Sequence, residues 1–475
     1  MIVAPFGAWV SPVSPGSLTA GSLRLSDLMV AGGRVWWVER RPDDDGRQVV
    51  VSADGDGEVT DHIPPGFSAR NTVHEYGGGS FTVVGAATVV FSELSDQRLW
   101  SVAPGCEPRP LTPAPPEPAA WRYADARPIP GHDWLVCVGE RHHGAGADQV
   151  ANDLVAVDLS GRADPVPLVG DHDFFAAPRP SPDGTRLAWL VWDHPNMPWD
   201  GTQLWVADLS FGAGDGHPAL GTSRRVAGGP DESISQPRWQ GERLHWMSDR
   251  SGWWNLYADD GVDGRAVLAR QAEFSRPDWV FGQSTYDFLA DGRTAVAWSH
   301  AGIDHLGTVD PATGTLTEIF TAFSHFDTIA ARGDDVVVIA ASATTSATLA
   351  IVGTDQAQDP DDPAGVTALR HSRTASIDPA WVSAAEGVTF ATTGGRSAHA
   401  YWYPPTSADH EGLPGTLPPL VVVSHGGPTS AASPAFDVAK QFWTSRGLGV
   451  VDVDYGGSSG YGREYRRCLD GAWGV

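Results

Sequence analysis

The sequence predicts a mainly β protein, an N-terminal β-propeller of about seven blades followed by the incomplete start of an α/β domain. Three observations carry this prediction. Short apolar runs alternate with Gly, Asp and Pro punctuation through most of the 475 residues, the pattern of an all-β chain. The runs form about seven units spaced by roughly 40 to 60 residues, near the length of a four-stranded blade. From about Glu386 the rhythm changes to strand, helix, strand. The rival architecture for the first part is a long β-sandwich or solenoid.

In chain order, the units carry apolar runs at Arg34–Val38, Thr88–Phe91, Trp134–Val138, Leu187–Trp192, Leu244–Met247, Ala295–Trp298 and Val336–Ile339. Several are followed by a second strand, at Leu99–Val102, Leu154–Asp158, Leu204–Asp208 and Asn255–Tyr257. Ser181-Pro-Asp-Gly184 and Ala290-Asp-Gly292 precede strands, and Asp-Gly supplies the positive φ of a tight turn. Aromatic residues on propeller strands wedge neighbouring blades apart, so Trp36, Trp189, Trp205 and Trp246 are read as core. The segment His194–Gly201 is a long loop between two strands, read as structural ahead of recognition, although loops on a rim often carry function.

In the last part, Gly387–Phe390 and Ala398–Tyr403 read as paired strands, and Pro404–Pro419 as a connector. Leu420–Ser424 has the apolar run of a buried strand of a parallel or mixed sheet. Phe436–Arg446 has a helical face and ends at Gly447, placed as a C′ glycine. Leu448–Asp454 is the second strand of the resulting βαβ unit.

Acidic residues outnumber basic ones 58 to 32, a net charge of −26. Such a surface repels phosphate backbones and anionic headgroups, which argues against nucleic-acid and membrane partners. No apolar run approaches the roughly 20 residues of a membrane span, and the Pro-broken start lacks a basic leader region. Cys106, Cys137 and Cys468 form no CxxC, which fits a reducing compartment and a cytoplasmic location. His142-His143 and Asp171-His172-Asp173 have no ligand spacing of a metal motif. Asp43–Gly46 and Asp54–Gly57 lack the remaining ligands of a calcium loop and read as hairpin turns. No metal and no cofactor are expected.

Several long strings resemble one family. They are Val73-His-Glu-Tyr-Gly-Gly-Gly79, Trp192-Asp-His-Pro-Asn-Met-Pro-Trp199, Ser248-Asp-Arg-Ser-Gly-Trp-Trp-Asn-Leu-Tyr257, Ser424-His-Gly-Gly-Pro-Thr429, and Gln441–Gly447 through Tyr455–Tyr465. Together they resemble the prolyl oligopeptidase family of serine peptidases, in its acylaminoacyl-peptidase and dipeptidyl-peptidase-like branch. The resemblance implies a strap over residues 1–25, a propeller over 26–385 and a partial α/β-hydrolase domain over 386–475. It implies hydrolysis of short peptides near the N-terminus through an acyl-enzyme, the propeller limiting access. In this family His-Gly-Gly-Pro supplies an oxyanion donor, which selects the backbone N–H groups of Gly426 and Gly427, with His425 shaping the turn. Glu75 and Tyr76 are candidates to face substrate, since a carboxylate suits a peptide amine. The plainer reading is that they stabilise a blade edge.

The family's triad runs Ser, Asp, His along the chain, the serine in a G-x-S-x-G elbow after a further strand and helix. About 90 residues follow Glu386, against the roughly 200 of a complete hydrolase domain, so the triad is expected to be absent and this chain inactive alone. Gly456-Gly-Ser-Ser-Gly460 matches the elbow literally at Ser458. It comes too early in the family's order, with too little chain after it for an aspartate and a histidine, and Gly462 weakens the helix an elbow needs. Ser458 is therefore read as a loop residue. The open strand edge of the truncated unit makes the terminal part a target for proteolysis back to about residue 385. The alternative function is a propeller binding or scaffold module with a vestigial hydrolase remnant, and a third is an esterase using Ser458.

Overall fold

A computed structural model describes residues 1–18, 21–54, 57–144, 146, 149–212, 216–355, 365–373, 377–427 and 429–472. Pro428 and the centre of the Asp54–Gly57 turn lie outside the described residues. Seven antiparallel sheets follow one another, at Arg24–Asp61, Phe81–Pro110, Trp121–Val169, Phe174–Gly228, Ile234–Ala266, Tyr286–Ile319 and His325–His371. They are blades one to seven of a propeller, and blade four carries a fifth strand.

Each of the seven apolar runs that mark the units is the second strand of its blade, for example Arg34–Arg41 and Asp335–Ala341. A second strand has a sheet neighbour on each side and a blade against each face. Both faces are buried, and the sequence becomes continuously apolar. The cores lie between blades. One joins Trp37 and Val50 of blade one to Val337 and Leu349 of blade seven, so this interface closes the ring. Arg370 of blade seven adds a bidentate pair to the buried Glu39 of blade one, at 2.7 and 3.1 Å. Trp36, Trp189 and Trp246 are fully buried and Trp205 is half-buried.

Innermost strands carry a feature that the sequence did not signal. Their ladders slip at bulges where Asp27, Asp125, Ala177 and Gln236 take φ near +50°. Such bulges aim side chains at neighbouring blades. Asp27 accepts from Gly79 N and Ser80 Oγ, and Gln236 Oε1 from Thr285 N.

After the ring, Glu386–Ala391, Ser397–Tyr403, Gly449–Asp454 and Leu420–Ser424 form a mixed sheet in that spatial order. Leu420–Ser424 runs parallel to Gly449–Asp454, and the helix Val438–Thr444 connects them. Gly447 ends that turn at φ +87°. Leu420–Ser424 is an edge, with Leu420 and Val422 exposed. The N-terminus ties itself to this sheet region. Ile2–Val3 pairs in parallel with His410–Glu411, Trp9 is buried against Gly447, and Arg446 donates to Val13 O at 2.8 Å.

The sheet region is also pinned to blade five by buried charge. Arg463 and Arg466, on a short helix beginning after Gly462, both donate to the buried Asp249. Glu273 accepts from Gly462 N at 2.9 Å and from Trp254 N at 3.0 Å, and the Arg466 guanidinium lies 3.9 Å from the Trp254 ring centre. Among the described residues, no helix is long and apolar enough to cross a membrane.

Candidate functional site

The strand Leu420–Ser424 delivers His425, Gly426 and Gly427 at its C-terminal end. Gly426 and Gly427 are exposed, and among the described residues neither N–H meets an acceptor. Two adjacent free donors at the end of a strand can stabilise an oxyanion.

His425 makes two short contacts, Nδ1 to Gly426 O at 2.7 Å and Nε2 to Ser458 Oγ at 2.6 Å. Nδ1 therefore donates to the carbonyl, and Nε2 accepts the Ser458 hydroxyl proton. Asp454 Oδ1 lies 3.9 Å from the same Nε2, on the edge that faces Ser458. In a working triad the carboxylate holds Nδ1 and orients the ring for the serine. Here Asp454 is engaged by Ala432 N at 2.7 Å and Tyr461 Oη at 2.9 Å. Ser458 has no exposed surface. The three residues lock the turn, since a substrate carbonyl cannot reach Oγ.

The turn is hydrogen-bonded to the propeller through an indole. Trp279 Nε1 donates to Thr429 O at 2.7 Å. Trp279 belongs to a segment, Pro277–Gln283, that precedes blade six and reaches the glycines of the Val73–Gly79 string. Phe281 N donates to Gly77 O at 2.9 Å, and Gly78 forms a parallel bridge with Phe281. Blades two and six are not neighbours, so this bridge spans the central channel. Gly78 has φ +93°, and a Cβ there would lie 2.5 Å from Phe281 O. The glycines are thus explained by close backbone approach.

Beside this crossing lies a cavity of about 610 Å³ within the propeller. Glu75 and Tyr76 line it, at the left-handed turn where Glu75 has φ +69°. Tyr76 is exposed and packs on Trp279, ring centres 5.1 Å apart. Glu75 reaches Arg122 at 3.4 Å. The loop His194–Gly201 also lines the cavity through His194, Met197, Pro198 and Trp199. Trp199 is buried against Trp279 at 4.4 Å. The wall behind is aromatic. Phe174 and Trp192 stack at 5.2 Å, and His74 meets both edge-on.

Charge in the cavity is arranged by burial. Burial pulls the His74 imidazole down to about 3, so it stays neutral. Burial pushes the Asp278 carboxyl up to about 7, with Arg179 opposing and Asp125 adding to the rise. Asp125 itself is held below its ordinary value against burial, by Arg179 and Arg127. Asp278 and Trp279 escaped the sequence reading. The one signal was the short apolar run Trp279-Val280-Phe281 two residues after Pro277, outside the seven runs assigned to strands.

Of the remaining sequence candidates, His142 and Asp173 lie on the cavity wall, already paired with protein groups. His142 Nε2 pairs with Glu140 at 2.7 Å, and His172 Nδ1 with Asp193 at 2.8 Å. Cys137 is buried, Cys106 exposed and Cys468 half-buried.

Comparison with known proteins follows the geometry. No family model matches the sequence. The chain is similar to a puromycin-hydrolysing peptidase of Mycobacterium tuberculosis, with 38% identity, a TM-score of 0.91, and coverage of 99% of this chain and 72% of that one. Prolyl oligopeptidase B of Galerina marginata shares the fold, with 12% identity, a TM-score of 0.67, and coverage of 95% of this chain and 64% of that one. Dipeptidyl aminopeptidase BIII of Pseudoxanthomonas mexicana is 31% identical over 88 residues, 18% of this chain, and the match spans only 13% of that protein.

Proposed function

This chain belongs to the prolyl oligopeptidase family of serine peptidases, and from that premise we propose that its reaction is hydrolysis of the amide next to the N-terminal residue of short peptides and aminoacyl amides. A serine attacks the carbonyl carbon, the C–N bond breaks, the amine leaves with a proton delivered by histidine, and water then cleaves the acyl-enzyme. In this reading Gly426 and Gly427 N–H donate to the oxyanion. None of these 475 residues supplies the reacting serine, aspartate and histidine in this reading, and this chain alone is expected not to turn substrate over.

The observation that carries the proposal is the pair of free N–H groups tied, through Thr429 and Trp279, to an aromatic cavity in the propeller. The similar peptidase that hydrolyses puromycin, an aminoacyl amide, supports the inclusion of such amides. In a chain extended to carry the triad, Gly426→Pro or Gly427→Pro removes one donor. We expect kcat to fall about 100-fold with KM little changed; unaltered kcat in both variants would remove the oxyanion role.

A second reading, a propeller binding module, draws on one observation: among the described residues the cavity is lined entirely by propeller residues, His74 to Gln283. Ligand retention by residues 1–385 alone favours it.

A further inference from the structure

We propose that Trp279 is a positioning residue for the reaction: its indole N–H, reaching out of the propeller, holds the Gly426–Gly427 turn where the two backbone donors meet the carbonyl oxygen. This rests on the peptidase reading and adds a propeller residue to the machinery of that same site.

The turn needs holding from outside. Two successive glycines have more backbone freedom than any other pair, and a donor displaced by about 1 Å can cost about 100-fold in rate. Gly426 and Gly427 are exposed, and the space that a Cβ of Gly426 would occupy is empty to 4 Å. The place of the glycines is therefore set by the residues that flank them. On the entry side, His425 Nε2 meets Ser458 Oγ at 2.6 Å. On the exit side, Thr429 is buried and makes two bonds. Its Oγ1 donates to Gly457 O at 2.8 Å, and its carbonyl oxygen accepts from Trp279 Nε1 at 2.7 Å. Among the described residues, the indole is the one donor to that carbonyl.

Trp279 has the rigidity that a positioning group requires. The buried Pro277, two residues before it, has its φ locked by the ring. Phe281, two residues after it, is tied to Gly77 O at 2.9 Å. The indole itself lies against Trp199 at 4.4 Å and Tyr76 at 5.1 Å. An indole N–H donates and cannot accept, so its direction selects a carbonyl oxygen. Docking of the two parts is carried separately, by Arg463 and Arg466 on Asp249 and by Gly462 N on Glu273. Loss of the indole donor therefore leaves the parts assembled and frees the turn alone.

Trp279→Phe removes the donor and keeps a ring against Trp199 and Tyr76. In the triad-carrying chain it is expected to lower kcat about 10-fold while KM stays within about 2-fold, the signature of an interaction made in the transition state. A peptide aldehyde reads the oxyanion directly. The serine oxygen adds to the aldehyde carbon, the serine proton passes to the histidine, and the new oxyanion lies on the glycine donors. Its Ki should rise by the factor that kcat loses, a change that a smaller folded fraction does not produce. In the 475-residue chain, exchange of the Ser459 amide, which donates to Ser430 O at 2.8 Å, should quicken in the variant. That of the Asp249 amide, on Ser233 O at 3.2 Å in blade five, should not. Unchanged kcat and Ki in Trp279→Phe overturn the proposal and leave the peptidase reading standing, as does a kcat loss with Ki unchanged. Absence of hydrolysis by the wild-type triad-carrying chain overturns the peptidase reading, and this role with it.

Discussion

Two buried side chains in the cavity set opposite pH dependences. The Asp278 carboxyl is raised from 3.8 to about 7 by burial, so the folded state keeps its proton where the unfolded chain has lost it. Stability therefore falls as pH rises through that window. Asp278→Asn cannot ionise, and its melting temperature is expected to exceed the wild type's at pH 8, the gap closing at pH 4. His74 has the reverse sign. It is lowered from 6.5 to about 3, mainly by burial, so its contribution is complete above pH 6.5 and is lost on acidification. A phenylalanine in its place should flatten the acid limb of a stability–pH curve, and an unchanged limb would show that His74 is charged in the fold. None of this was legible in the sequence, because burial of a lone Asp or His depends on segments far away in the chain. Gly77–Gly79 were legible as a motif but not as a reason. Gly78→Ala meets Phe281 O at 2.5 Å, and a loss of about 1–3 kcal/mol is expected from the strained φ alone, measurable by denaturant unfolding.

Among elements, visibility in the sequence tracks burial. Second strands such as Arg34–Arg41 are apolar on both faces and stand out. Fourth strands such as Arg109–Pro110 and Arg265–Ala266 are short, exposed and silent. Gly449–Asp454 was legible for the same reason as the second strands, and the helix before it through Gly447, whereas the buried strand expected at Leu420–Ser424 is an edge with Leu420 and Val422 exposed. What the sequence hid was docking. The expected trimming of the terminal part to about residue 385 considered only its open edge. The structure instead anchors that part through Arg463 and Arg466 on Asp249, through Glu273 on Gly462, and through the N-terminal strap. Removing one partner of a buried ion pair costs about 3–5 kcal/mol. Arg466→Ala should accordingly release residues 386–472 to limited proteolysis that the wild type resists. Equal cleavage of both proteins would show that the charge cluster does not hold the parts together.

For the molecule as a whole, the propeller acts as a wall with its own chamber. The Pro277–Gln283 segment bridges blades two and six across the central channel and brings Trp279 to Thr429. In the proposed reading the cavity and the glycine turn are joined at this indole. The fold class was readable from periodicity, the peptidase family from a few long strings, and the chamber from neither, since its residues come from distant blades. The Ser458–His425–Asp454 cluster has a triad's residues without its geometry, and the proposed reaction does not use it. The decisive measurement is amide turnover by the purified 475-residue chain, with phenylalanine p-nitroanilide as substrate, beside its Ser458→Ala variant. The account predicts no turnover in either protein. Turnover by the wild type that Ser458→Ala abolishes would contradict it and make the buried serine the nucleophile.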